Sequence, residues 1–207
     1  MSSIGILLVN LGTPQAPTKE ALRAYLKEFL WDKRMVNIYR PLWWLILHGI
    51  ILPTRPAKSA ELYKKIWTPE GSPLYVLTKN LAAQLGKVSG GECSVEFAMR
   101  YGWPSIQDAL KKLISRNPQK LVILPLFPQF SWTSTGSVFD VFNKTLRKLS
   151  YQGQVFSIKS YHNFAPYISE ICRQINLSLV QNKHKKLLLS FHGIPIQNIK
   201  NGDPYYD

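Results

Sequence analysis

The sequence predicts an α/β protein built on a parallel sheet with helices on both faces. Two observations carry this. Short apolar runs of strand length recur along the chain, and amphipathic stretches of helical period separate them. The first of these runs is continuously apolar rather than alternating, as a strand buried on both faces requires.

Ile4 to Asn10 opens the chain as such a strand, and Gly12, Pro14 and Pro17 break it. Thr18 is an N-cap for a helix in which Leu22, Tyr25, Leu26 and Phe29 recur at helical spacing. Pro56 opens a second helix, and T-P-E-G-S-P-L turns into a third over Pro73 to Lys87. The rhythm is then regular. C-S-V-E-F-A-M is a strand and Pro104 to Ser115 a helix; K-L-V-I-L-P-L-F is a strand and Gly136 to Leu149 a helix. Q-V-F-S-I-K-S is a strand, Ala165 to Val180 a helix, and K-K-L-L-L-S-F a fifth strand. No repeat of 20–50 residues interrupts the order.

The segment Pro41 to Pro53, P-L-W-W-L-I-L-H-G-I-I-L-P, holds eleven residues between its prolines. That is short of the roughly 20 needed to cross a bilayer. Two readings stay open: a buried helix, or an exposed apolar lip suited to its tryptophans. His48 within it reads as packed rather than as a ligand.

With 45% hydrophobic and 18% charged residues, the 207-residue chain is globular, and general disorder is excluded. A net charge of +14 favours anionic partners: nucleic acid, an anionic membrane face, or carboxylate and phosphate ligands. The basic residues are dispersed, with knots at Lys111-Lys112 and Lys183 to Lys186, so a solvated basic surface explains them equally well. No RRM, KH or helix-turn-helix pattern frames them, and no nucleic-acid partner is expected. Cys93 and Cys172 form no C-x-x-C, which argues against a zinc site or disulfide framework and suits a reducing cytoplasm. The N-terminus lacks the features of a secretory signal.

In open parallel sheets ligands bind beyond the carboxyl ends of the strands. The loops there bring Leu11, Gly12 and Thr13; Arg100, Tyr101 and Trp103; Phe130 to Ser134; His162; and His192 with Gly193. Aromatic, hydroxyl, arginine and histidine residues in this mixture suit a flat, apolar, anionic ligand. Neither G-x-G-x-x-G after the first strand nor G-x-x-x-x-G-K-[ST] is present, so a nucleotide fits less well. Each residue also has a plain reading: Arg100 as an ion-pair partner, Phe130 and Trp132 as loop anchors, His162 as a surface residue. His192, just past the last strand, reads equally as a reactive imidazole or a loop residue. Gly193 beside it lets the backbone turn or a ligand approach.

The motifs L-L-V-N-L-G-T-P, E-G-S-P-L, L-P-L-F-P-Q-F-S-W-T-S-T-G-S, S-F-H-G-I-P and G-D-P-Y-Y-D stand in an order and spacing that resemble the ferrochelatases, from Ile4 to Asp207. That family inserts ferrous iron into a porphyrin to make haem. The Pro41 to Pro53 insert resembles the proteobacterial type acting on protoporphyrin IX rather than the coproporphyrin III type. The resemblance implies a Rossmann-like, chelatase-type lobe over 1–160, with a hydrophobic lip insertion at about 29–56. Residues 161–207 would be a linking helix and the first strand and loop of a second, similar lobe, truncated here.

By the same resemblance His192 is the pocket histidine, acting as metal ligand or proton acceptor. Leu11, Gly12, Thr13, Arg55, Arg100, Tyr101, Phe130, Ser131 and Thr133 would meet the porphyrin. Phe29, Leu30, Trp31, Trp43 and Trp44 would form a membrane-facing lip. A glutamate opposing the histidine, and iron–sulfur cysteines in members that have a cluster, lie in the C-terminal part of the family, so activity of this chain alone is not expected. The partners implied are protoporphyrin IX, ferrous iron as substrate with no cofactor in this segment, and an anionic membrane surface. The location implied is cytoplasmic, peripheral at the inner membrane face. The residues by themselves also allow a porphyrin or haem carrier without catalysis.

Overall fold

The structure, a computed structural model, describes residues 3–182 and 186–206. Its centre is a sheet of four strands, β1 (Ile4–Thr13), β2 (Cys93–Gly102), β3 (Lys120–Pro125) and β4 (Gln154–Ser157), in the order β2-β1-β3-β4. Every pairing is parallel. β1 lies between two neighbours, and Leu7, Leu8 and Val9, whose side chains alternate between its two faces, are all buried. β3 ends its ladder at Pro125, which has no N–H to donate.

The helices start where capping chemistry places them. Thr18 Oγ1 accepts from Ala21 N–H at the start of α1 (Lys19–Trp31). Ser72, followed by Pro73 in the first turn, caps α4 (Pro73–Val88), and Ser105 caps α5 (Ile106–Ile114). α6 (Ser137–Lys148) follows a π-helical turn over Trp132–Gly136. Leu110, Leu113, Val138 and Phe142 of α5 and α6 pack against Leu7, Val9 and Ile123 of the sheet as the main core.

The Pro41 to Pro53 segment resolves into both of its readings. α2 (Arg40–Ile46), a π-helical turn (Leu47–Ile51) and α3 (Leu52–Ile66) run on without a break. The second helix thus begins before Pro56, which lies inside α3. The turn widens so that Leu52 N–H reaches Leu47 O, just ahead of Pro53. Pro56 cannot bond Leu52 O, and Arg23 Nη1 donates to that carbonyl instead at 2.8 Å. The inner face joins Leu26, Leu30, Trp43, Leu47 and Leu52 in a second, smaller core.

The fifth expected strand is not found among the described residues. Its opening, with most of the basic knot at Lys183 to Lys186, falls at 183–185, outside them. From Lys186 to Phe191 the chain pairs with no strand, and Leu188 is 91% exposed. A strand needs a partner to hydrogen-bond, and after α7 (Ala165–Asn182) this run meets none among the described residues. The chain then forms a short helix, α8 (Ile196–Lys200), and a 3₁₀ turn at Pro204–Tyr206.

Gly12 sits where β1 and β2 close most tightly. Its φ is +122°, and a Cβ there would lie 1.9 Å from Tyr101 O. Gly12→Ala is expected to cost about 3 kcal/mol or more, from left-handed strain and overlap with backbone that cannot give way. Urea unfolding of the variant chain measures it.

Candidate functional site

β1 is flanked by β2 on one side and β3 on the other, so the crevice beyond its carboxyl end is the topological switch point of the sheet. A cavity of about 370 Å³ opens there. Leu11 at the end of β1 and Phe127, Pro128 and Gln129 after β3 form its floor. Phe29 of α1 and Met35 close one side; Ser131, Thr133 and Ser134 close another. His192, Ile194 and Tyr205 complete it from the far end of the chain. His192 also faces a neighbouring cavity of about 570 Å³ with Phe191, Ile196, Ile199 and Tyr206.

Of the residues expected from the sequence, Leu11, Phe29, Ser131, Thr133 and His192 therefore share one cavity. Phe130 stands beside it, edge-on to Trp132 with ring centroids 5.0 Å apart. Thr13 lies on a separate cavity of about 450 Å³ with Trp67, Glu70, Tyr75 and Trp103. Gly12 makes the close strand contact described above. Arg55 is exposed on α3 and lines none of these cavities. A Cβ on Gly193 would meet nothing within 4 Å, so no close packing among the described residues demands glycine there.

Arg100 and Tyr101 do not line the cavity; a part-buried carboxylate holds both. Asp32, just past α1, accepts from Arg100 Nη2, from Tyr101 Oη–H at 2.8 Å and from Ser137 Oγ–H at 2.6 Å, all at Oδ2. Its Oδ1 accepts from Arg34 N–H at 2.8 Å, and Arg100 Nε donates to Ser137 Oγ at 2.7 Å. Burial pushes the Asp32 carboxyl up. The Ser137, Arg34 and Tyr101 hydrogen bonds and the Arg100 charge outweigh it and hold Asp32 below the ordinary carboxylate range. Burial raises the Tyr101 phenol, which stays protonated as a donor.

The lip is also narrower than expected. Leu30 and Trp43 are inside, and Trp43 Nε1–H donates to Leu30 O at 2.8 Å. A buried indole needs that partner, which turns the ring inward. Trp31 and Trp44 of the expected lip are exposed, and Tyr39, Leu42, Leu45 and Ile50 are exposed with them. The Arg40 guanidinium lies 4.0 Å from the Trp31 ring centroid, and His48 stacks on Trp44.

Sequence reading missed Met35, Phe127, Ile194 and Tyr205 in the cavity, and Asp32 and Asp203 behind it. Tyr205 and Asp203 stood in the G-D-P-Y-Y-D motif without a role. Asp203 is 3% exposed and accepts from Ser131 Oγ and Trp132 N–H, both at 2.8 Å. Among the described residues no group of three or more His, Cys, Asp or Glu gathers as a metal site.

An apolar crevice with a histidine on its wall, at the switch point of a parallel sheet, marks an α/β protein of the class whose small-molecule sites lie at that crevice. The Ferrochelatase family profile matches residues 3–207, and the chain belongs to that family. It is 46% identical to a ferrochelatase of Marinobacter nauticus, over 98% of this chain and 56% of that one. It is 47% identical to a ferrochelatase of Shewanella denitrificans and 45% identical to ferrochelatase 2 of Shewanella oneidensis, covering 63% of each. The chain thus spans about three-fifths of the length of these relatives.

The Asp32 network carries a pH prediction. The folded-state pKa is lowered, so its stabilisation is fully present above the unfolded carboxylate value of about 3.9 and is lost as pH falls through the folded value. Asp32→Asn leaves the Arg100 guanidinium, 13% exposed, without its counter-charge. We expect a loss of about 3–5 kcal/mol at pH 7 and a shallower decline towards pH 3, read by urea unfolding across that range.

Proposed function

We propose that this chain forms the histidine-bearing side of an enzyme that inserts ferrous iron into protoporphyrin IX, the last step of haem synthesis. The observation that carries this is the meeting of His192 with Leu11, Phe29 and the Ser131–Thr133 loop in one apolar crevice, in a chain of the ferrochelatase family.

The reaction removes two pyrrole protons and joins iron to the ring nitrogens they leave. A flat macrocycle presents those nitrogen lone pairs poorly to a metal approaching one face. Leu11, Phe29, Met35 and Phe127 offer an apolar wall against which the ring packs and bends, with about 1–5 kcal/mol of strain drawn from binding at its periphery. Ser131 and Thr133 supply hydroxyls beside it. Among the described residues, His192 gives the cavity lining an imidazole that can accept a proton near pH 7. We therefore assign His192 as acceptor of a pyrrole proton, a role worth about 10²–10⁴-fold. Iron is substrate in this reading, and no resident cofactor is assigned to the segment.

We further propose that the lip rests on an anionic membrane, from which an apolar substrate would enter. Trp44, Leu45 and Ile50 are exposed together, each by at least half. The net charge of +14 suits an anionic face. No helix among the described residues is long and apolar enough to cross a membrane, so the contact proposed is peripheral. A cytoplasmic location at the inner membrane face completes the reading, and the free thiols of Cys93 and Cys172 are consistent with it.

His192→Ala is expected to lower zinc insertion into protoporphyrin by about 100-fold or more, and to leave porphyrin binding intact. The assay joins this chain to the C-terminal remainder of its Marinobacter relative. Binding without metal insertion by the unaltered fusion would favour a carrier instead. For the lip, Trp44→Ser with Leu45→Ser should sharply reduce flotation with phosphatidylglycerol vesicles; undiminished flotation would remove the membrane assignment.

A further inference from the structure

His192 reaches the cavity on a stretch of chain with little to hold it. Lys186 to Phe191 has no strand partner among the described residues, and Phe191 is 70% exposed. What returns the chain to the cavity lies further on, at Gly202 to Tyr205. Asp203 is nearly inaccessible, and its carboxylate faces donors on two sides. Oδ2 accepts from Ser131 Oγ–H and from Trp132 N–H, at 2.8 Å each; Oδ1 accepts from Tyr205 N–H at 3.1 Å. Asp203 N–H donates to Asn198 O at 3.0 Å, which ties the carboxylate to α8. The Trp132 indole N–H donates to Gly202 O at 3.2 Å.

These contacts join the end of the chain to the loop that forms the cavity wall, across 72 residues for Ser131 and Asp203. Both Ser131 and Tyr205 line the same cavity as His192. We propose that Asp203 is a positioning residue for His192: its buried carboxylate locks the His192-bearing segment to the Ser131–Trp132 loop, and so aims the imidazole into the cavity. This rests on the reading of the cavity as a porphyrin site.

The chemistry asks for a carboxylate. An aspartate offers acceptor oxygens in both directions, and charge strengthens each bond. An asparagine turns one of those oxygens into NH₂, which then opposes either Tyr205 N–H or the Trp132–Ser131 pair. One buried donor is left unmet and the clamp opens on that side. Removing Ser131 Oγ–H weakens the same clamp from the loop side and leaves Asp203 in place.

The test uses this 207-residue chain and zinc protoporphyrin, whose metal takes one axial ligand. Ligation by a histidine moves the Soret band to the red. The unaltered chain should bind with the shift, and His192→Ala should bind without it. Asp203→Asn should bind zinc protoporphyrin with affinity little changed and lose the shift; Ser131→Ala should lose part of it. A full shift in Asp203→Asn overturns the proposal alone. If circular dichroism shows Asp203→Asn unfolded, Ser131→Ala decides, and an undiminished shift there overturns it. Binding by the unaltered chain without a shift also overturns it. No binding at all overturns the porphyrin reading and this inference together.

Discussion

The carboxylate of Asp32 is the joint on which the rest of the structure depends. It stands where α1 leaves the lip, and it draws in Arg100 and Tyr101 from the end of β2 and Ser137 from the start of α6. A charge taken out of water is tolerated only when donors replace the water, and here hydroxyls, a guanidinium and a backbone N–H do so. The joint decides three things at once. It sets where the lip helices meet the sheet and where α6 begins. It also withdraws an arginine and a tyrosine from the ligand side of the sheet. Arg34, beside Asp32, extends the joint outward by pairing with Asp140 of α6 and lying 5.2 Å from the Trp132 ring centroid.

Beyond that joint the molecule separates a rigid part from a tethered one. The sheet with α5 and α6 holds the main core, and α1 to α3 carry a second. The chain after β4 is different. α7 lies exposed along most of its length, and His192 comes to the cavity through a hydrogen-bonded clamp rather than through burial. The cavity therefore has a firm wall from β1, α1 and the β3–α6 loop, and an opposing wall held by a few polar contacts.

The apolar lip shows how one short sequence holds two environments. Trp43 and Trp44 are adjacent, so on a helix they point about 100° apart. Trp43 turns inward because Leu30 O offers its indole a partner; Trp44 turns outward and stacks on His48. Neither composition nor hydropathy distinguishes the two residues. The helical period does, once the side facing Leu26 and Leu47 is known.

The sequence by itself determined the four parallel strands, the helices between them and the cap of the first, because these follow from local patterns: apolar runs, helical spacing, and Thr18 ahead of a helix. It also determined the family, through motifs at fixed spacing. Tertiary structure alone decided which motif residues face the cavity. Arg100 finds Asp32 across 68 residues and Ser137 finds it across 105, so no local pattern could show that these groups were already engaged. It also decided that Leu187 to Leu189 form no strand, since hydrogen bonding to a sheet edge is a property of two segments and not of one.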